Sequence, residues 1–183
     1  MDDNTKTIMF QKSTKITDLW STPKSLFYKL DAEFAFTCDP ASTKENAKCS
    51  KFFTEEDDGL CKSWKGERIF LNPPYSSDLQ KAFVKKAFEE SRDNGVTSVL
   101  LLPARSDTKL FHEYCMKASE IRFIKGRVKF DLPPGSTSKQ NSAPFPSMLV
   151  IFKGWQAGSS IPPQISTYTL PKVAKATKAK KTK

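Results

Sequence analysis

The segment Arg68-Ile69-Phe70-Leu71-Asn72-Pro73-Pro74-Tyr75 decides the fold. Its first four residues are a short apolar run that predicts a strand. The Asn-Pro-Pro that follows ends the strand abruptly, because proline fixes φ and removes a ladder donor. From about Asp78 to Arg92, Leu79, Phe83, Ala87 and Phe88 recur at helical spacing, and Asn94-Gly95 supplies a stop. Val99-Leu100-Leu101-Leu102 is then continuously apolar, the mark of a strand buried on both faces of a parallel sheet. Strand, loop, helix and strand in that order predict an α/β sheet with helices on its faces.

The flanks extend this reading. Upstream, Thr22 can cap a helix and Pro23 fits its first turn, with Leu26, Phe27 and Leu30 on one side. Phe34 to Cys38 reads as a strand closed by Asp39-Pro40, and residues 41–65 are polar apart from Phe52-Phe53 and Trp64. Downstream, Asp107 opens a helix with Leu110, Phe111, Tyr114 and Ala118 inward. Ile121–Ile124, Val128–Phe130 and Met148–Phe152 follow as strands, with an antiparallel hairpin at the end. Residues 131–147 read as a Pro/Ser/Gly loop, and the core pattern is lost from Lys153 onward. The predicted organisation is a flexible segment over 1–17, one domain over 18–153, and an extension over 154–183 whose Lys-rich tail begins at 172. In such sheets ligands bind at the carboxyl ends of the strands. That singles out Asp39, Asn72 to Tyr75, and Pro103 to Asp107.

Composition narrows the partners. The net charge of +10 favours a polyanionic partner such as nucleic acid, and a solvated surface with a basic tail is the other reading. No apolar run approaches the roughly 20 residues that span a bilayer, and the first ten residues lack the pattern of a secretory signal. A cytoplasmic protein is therefore expected. Cys38, Cys49, Cys61 and Cys115 form no Cys-x-x-Cys pair, and His112 is the only histidine, so reduced buried or half-buried thiols and no metal site are expected.

The Asn72-Pro73-Pro74-Tyr75 loop carries a specific chemistry. An exocyclic amine on a base or amide is a poor nucleophile, because its lone pair is delocalised. Two acceptors that take its N–H groups hold it and localise the lone pair. The Asn72 side-chain oxygen and the Pro73 carbonyl can be those acceptors, and Pro73 and Pro74 stiffen the loop in advance. Tyr75 offers a flat face for an extruded base. The chain has no Pro-Cys loop for ring-carbon methylation, no Walker loop and no Gly-x-Gly-x-x-Gly. The same chemistry serves adenine N6, cytosine N4, an RNA base or a glutamine amide, and a basic nucleic-acid-binding module with a decayed site is the remaining alternative. Arg105 lies just past a predicted strand, and Lys125, Arg127 and Lys129 alternate along another, so all four are candidate phosphate contacts.

Several segments together resemble the phage-type DNA N6-adenine methyltransferases, the Dam-like enzymes of phages and prophages. They are Trp20-x-Thr22-Pro23, Phe36-x-x-Asp39-Pro40-Ala41-Ser42, Asn46-Ala47-Lys48-Cys49, Asp58-Gly59-Leu60, Leu71 to Ser76, Leu101 to Thr108, Ile121 to Arg127, and Ala143 to Met148. The resemblance implies a single Rossmann-like, three-layer domain, S-adenosylmethionine as donor, double-stranded DNA as partner and no metal. It places Thr22 and Pro23 at the methionine end of the cofactor. Asp39, with Pro40 and Ala41, would meet the ribose hydroxyls or the amino group, Asp58 the adenine amine, and Asn72 both cofactor and target. Ordinary methyltransferases carry a glycine-rich turn after the first strand, and Phe36 to Ser42 contains no glycine.

Overall fold

The computed structural model describes residues 20–132, 142–157 and 160–171. The segment 1–17, most of the 131–147 loop and the tail from 172 fall outside the described residues. Seven strands and three α-helices are described: α1 (Lys24–Phe34), β1 (Cys38–Asp39), β2 (Lys51–Phe52), β3 (Arg68–Leu71), α2 (Ser77–Asn94), β4 (Thr97–Pro103), α3 (Lys109–Glu113), β5 (Glu120–Lys125), β6 (Ser147–Phe152) and β7 (Gln164–Thr169). The strands form one mixed sheet in the order β2-β1-β3-β4-β6-β5-β7. Only β6 runs against the rest, pairing antiparallel with β4 (Leu100 opposite Val150) and with β5 (Ile121 opposite Val150).

Side chains alternate across a strand, so each strand feeds two cores. Ile69, Leu71, Leu100, Leu102, Val150 and Phe152 pack with Phe83, Val84, Ala87 and Phe88 of α2. Phe70, Val99, Leu101, Leu149 and Ile151 pack with Leu26, Phe27 and Leu30 of α1. Helix α2 stops at Gly95, whose φ of 68° is the left-handed conformation that glycine adopts without a Cβ penalty.

The sequence reading of β3, β4, β6 and α2 matches these elements. Five local readings change. Phe34 ends α1 rather than starting a strand. Ala35 turns the chain at φ 49° while Asp31 accepts the N–H groups of Ala35 and Phe36, through its carbonyl and its carboxylate respectively. Phe34 and Phe36 then stack at 5.8 Å and cover Phe27 and Phe70. Thr22 is not the cap of α1, which begins after Pro23 with no side-chain cap. The helix expected from Asp107 is the short α3, capped by the Thr108 hydroxyl at Phe111 N–H. Val128–Phe130 is no strand. Past Lys153, β7 lies parallel to β5 with Ile165 beside Ile121, although the sequence carries no core pattern there.

Candidate functional site

The carboxyl ends of β1 and β3 meet at one cleft. It is lined by Trp20, Ser21, Thr22, Asp39, Ala41, Ser42, Asn46, Lys48, Phe70 and Asn72, and holds about 280 Å³ of space, part of it open to solvent.

Asp39 is the last residue of β1 and only 4% exposed. Its carboxylate accepts the Lys48 backbone N–H at 3.1 Å, and its carbonyl accepts the Phe53 N–H at 3.0 Å. Burial pushes its carboxyl up to about 6, against the opposing pull of the Lys48 and Ala41 N–H groups and the Lys48 charge. The Lys48 ammonium donates to the Ser21 hydroxyl at 2.9 Å. Burial lowers its pKa, while the carboxylates of Asp131 and Asp39 pull the other way. The wall thus carries a carboxylate and an ammonium, each held by hydrogen bonds to other groups. Thr22 is 1% exposed, and its hydroxyl has no hydrogen-bond partner among the described residues. A buried hydroxyl left without a partner costs on the order of 1–3 kcal/mol. A ligand in the cleft would relieve that cost.

Asn72 follows β3. Its Nδ2 donates to the Trp20 carbonyl at 2.9 Å, and its Oδ1 accepts the Tyr75 hydroxyl at 2.8 Å. Pro73 is buried and Pro74 half-buried. The half-buried Tyr75 ring meets Phe145 at 5.4 Å and Phe130 at 6.1 Å, both edge-to-face. Trp20 stacks on the same two rings at 5.4 Å (Phe130) and 6.2 Å (Phe145). An aromatic wall therefore stands beside the acceptor loop, adjoining the cleft.

The fold brings Thr22, Asp39, Ala41 and Asn72 together, with Pro23 and Pro40 next to them in the chain. Asp58 stands outside the cleft lining. It sits in a turn at φ 50°, and its carboxylate accepts the Leu60 N–H at 3.1 Å. Arg105 is exposed past β4, in a segment tied to the 142–147 stretch by the Ala104 N–H on the Pro146 carbonyl. Lys125, Arg127 and Lys129 are exposed, but they do not share a strand: β5 ends at Lys125, and Gly126 at φ 93° redirects the chain. The four cysteines form no disulfide, and Cys61 is exposed rather than buried. Trp20, Asn46 and Lys48 stand in the segments that carried the family resemblance, yet the sequence attached no role to them. Ser21 and Phe145 gave no signal beyond that, and Phe130 was read only as part of a strand. No helix among the described residues is long and apolar enough to cross a membrane.

A mixed α/β sheet whose strand ends set a buried carboxylate beside an Asn-Pro-Pro-Tyr loop has the features of the methyltransferases that act on amino groups. Comparison with known proteins makes this specific. The family described as DNA N-6-adenine-methyltransferase (Dam) matches residues 10–181, and the chain belongs to that family. It is 34% identical over 152 residues to the DNA N-6-adenine-methyltransferase of Haemophilus phage HP1 (strain HP1c1), covering 80% of this chain and 86% of that protein. It is 36% identical over 119 residues to the protein of the same name from Escherichia phage T1, covering 64% of this chain. There the matched region spans about half of the relative's length, 49%.

Proposed function

We propose that the chain transfers a methyl group from S-adenosylmethionine to the N6 amine of adenine in double-stranded DNA. The observation that carries this reading is the Asn72 amide, aimed by two hydrogen bonds at the edge of a cleft that also holds Asp39 and Lys48. We read the domain as Rossmann-like, with α1 and α2 on opposite faces of the sheet, in keeping with its two separate cores. The same reading places the enzyme in the cytoplasm, with its DNA.

The cleft suits the amino-acid end of the donor. The Asp39 carboxylate matches an ammonium, the Lys48 ammonium matches a carboxylate, and the orphaned Thr22 hydroxyl is a donor and acceptor in search of a partner. When bound, S-adenosylmethionine supplies an electrophilic methyl group. The protein's part is to present the amine. The Asn72 Oδ1 and the Pro73 carbonyl accept its two N–H groups and draw its lone pair out of conjugation. The two prolines hold those acceptors ready, so little reorganisation is needed during reaction. Adenine must leave the duplex to reach them, and the Tyr75 ring receives it. Asp58, whose Oδ1 accepts the Leu60 N–H in its own turn, is the residue we assign to the adenine amine of the donor. Positioning of amine and methyl then supplies most of the rate.

The test is incubation with methyl-labelled donor and unmethylated DNA, followed by nucleoside analysis. N6-methyldeoxyadenosine is expected, and Asn72→Ala should lower its formation roughly a hundredfold, as removal of one preorganised hydrogen-bonding group does. Label in N4-methylcytosine, in RNA or in protein instead would overturn the proposal.

A further inference from the structure

We propose that Trp20 is a positioning residue that fixes which way round the Asn72 amide sits. The inference rests on the acceptor role proposed for Asn72. The oxygen and nitrogen ends of an amide are alike in size, so packing alone does not choose between them. Of the two partners of Asn72, the Tyr75 hydroxyl both donates and accepts, and it tolerates either orientation. The Trp20 carbonyl only accepts. With the amide turned over, two oxygens would face each other across a distance that is now a 2.9 Å hydrogen bond. Trp20 is therefore the partner that selects. A turned amide would also present N–H donors to the target amine, itself a donor, and the site would lose its acceptor.

The carbonyl that makes this selection is itself held on both sides. The Ser21 N–H donates to the Asp131 carbonyl at 3.0 Å, and the Asp131 N–H donates to the Ser21 carbonyl at 2.8 Å, closing an isolated antiparallel bridge. The Trp20 indole lies against Phe130 and Phe145, the two rings that also contact Tyr75. Residues 20–22 thus form a strap. Its carbonyl orients Asn72, its Ser21 hydroxyl receives Lys48, and its Thr22 faces the donor cleft.

The test compares Trp20→Ala and Trp20→Phe, each with Asn72 and with Asn72→Asp, in single turnover at saturating donor and DNA. A carboxylate has an acceptor at both ends, so it has no orientation to lose; it also sets an oxygen against the Trp20 carbonyl, so loss of the Trp20 anchor relieves a contact there and adds no cost. Trp20→Ala keeps the backbone carbonyl but removes the indole that anchors it, so the rate with Asn72 should fall by up to about tenfold, the worth of one neutral hydrogen bond. It should cost less than about twofold with Asn72→Asp. Trp20→Phe, which keeps a stacking ring, should restore most of the rate. Equal losses in both backgrounds would overturn the proposal. A second readout does not depend on turnover: the Asn72 side-chain amide protons, followed by NMR, should exchange slowly in the wild type and Trp20→Phe, and rapidly in Trp20→Ala. Unchanged exchange in Trp20→Ala would overturn the lock even if Asn72→Asp proved inactive. Exchange that quickens while turnover stays intact would leave the lock standing and refute the acceptor role of Asn72.

Discussion

Replacing Asp39 by Asn should stabilise the free protein at neutral pH and weaken its hold on the methyl donor. The carboxyl is 4% exposed, and burial raises its pKa from the ordinary aspartate value to about 6. The folded chain therefore binds that proton more tightly than the unfolded chain does. Stability falls as pH climbs from about 4 to about 6, and above that window the ionised carboxylate costs about 3 kcal/mol. Asparagine keeps an acceptor for the Lys48 N–H and carries no charge. Its own amide protons need partners, which returns about 1 kcal/mol of the gain. A net gain of about 2 kcal/mol at pH 7.5 corresponds to a rise in Tm of about 4–8 °C for a chain of this size. At pH 4, where the aspartate is neutral as well, only the amide's cost should remain, and the variant should be the less stable of the two by about 1 kcal/mol. Donor affinity should fall by about tenfold or more, because a charged partner of the ammonium is gone. Thermal melts of both proteins from pH 4 to 7.5, with calorimetric titration by S-adenosylhomocysteine, test both halves. A variant whose advantage is largest at pH 4, or whose affinity for the ligand is unchanged, would refute the reasoning.

Three further outcomes are expected. Tyr75→Phe should stay within about threefold of wild-type turnover, because the Trp20 carbonyl still orients Asn72, while Tyr75→Ala should lose base affinity of about 1–3 kcal/mol. Competition binding with DNA carrying an abasic target checks this, and equal damage from both changes would rule out stacking. Lys48→Met should weaken donor binding roughly tenfold while leaving the affinity for decarboxylated S-adenosylmethionine unchanged, since only the carboxylate meets the ammonium; a parallel loss for both ligands would remove Lys48 from that role. Arg127→Gln with Lys129→Gln should reduce the slope of log affinity against log salt by up to about 1.8, at about 0.9 for each phosphate no longer neutralised. A slope unmoved in titrations between low and moderate salt would take both residues off the DNA.

The fold was legible in the sequence where burial is heavy and regular. Strands β3, β4 and β6 are almost wholly buried, so their apolar runs stand out. Strand β7 is an edge whose residues are all exposed except Tyr168, and its Gln-Ile-Ser-Thr-Tyr-Thr has no alternation to find. Strand β2 has two residues, too few for any period. The aromatics at Phe34 and Phe36 mimic a strand, but one ends a helix and the other follows a left-handed turn. The site was legible to the same extent. Asp39 and Asn72 stand at or just past strand ends that chain order reveals, whereas Thr22 came only with the family resemblance. Lys48 and Trp20 reach the cleft through long-range closures, the Lys48 N–H onto Asp39 and the Ser21–Asp131 bridge, which no local pattern encodes. Arg127 and Lys129 were misplaced on a strand because alternation continues in exposure after Gly126 has broken the ladder.

The glycine missing after β1 has a counterpart elsewhere in the chain. A Cβ on Gly59 would lie 2.0 Å from the Pro40 carbonyl oxygen and 3.3 Å from the Pro40 Cβ, so only glycine lets this loop press on the turn that follows Asp39. The Gly59 carbonyl accepts the indole N–H of Trp64 at 3.0 Å, and Trp64 is fully buried. The Trp64 backbone N–H in turn donates to Glu90 of α2 at 3.3 Å. The turn after β1 is thus held from outside, by a loop anchored in the core, rather than shaped by glycines of its own. Asp58 serves that arrangement: its left-handed backbone and its bond to the Leu60 N–H form the turn that delivers Gly59.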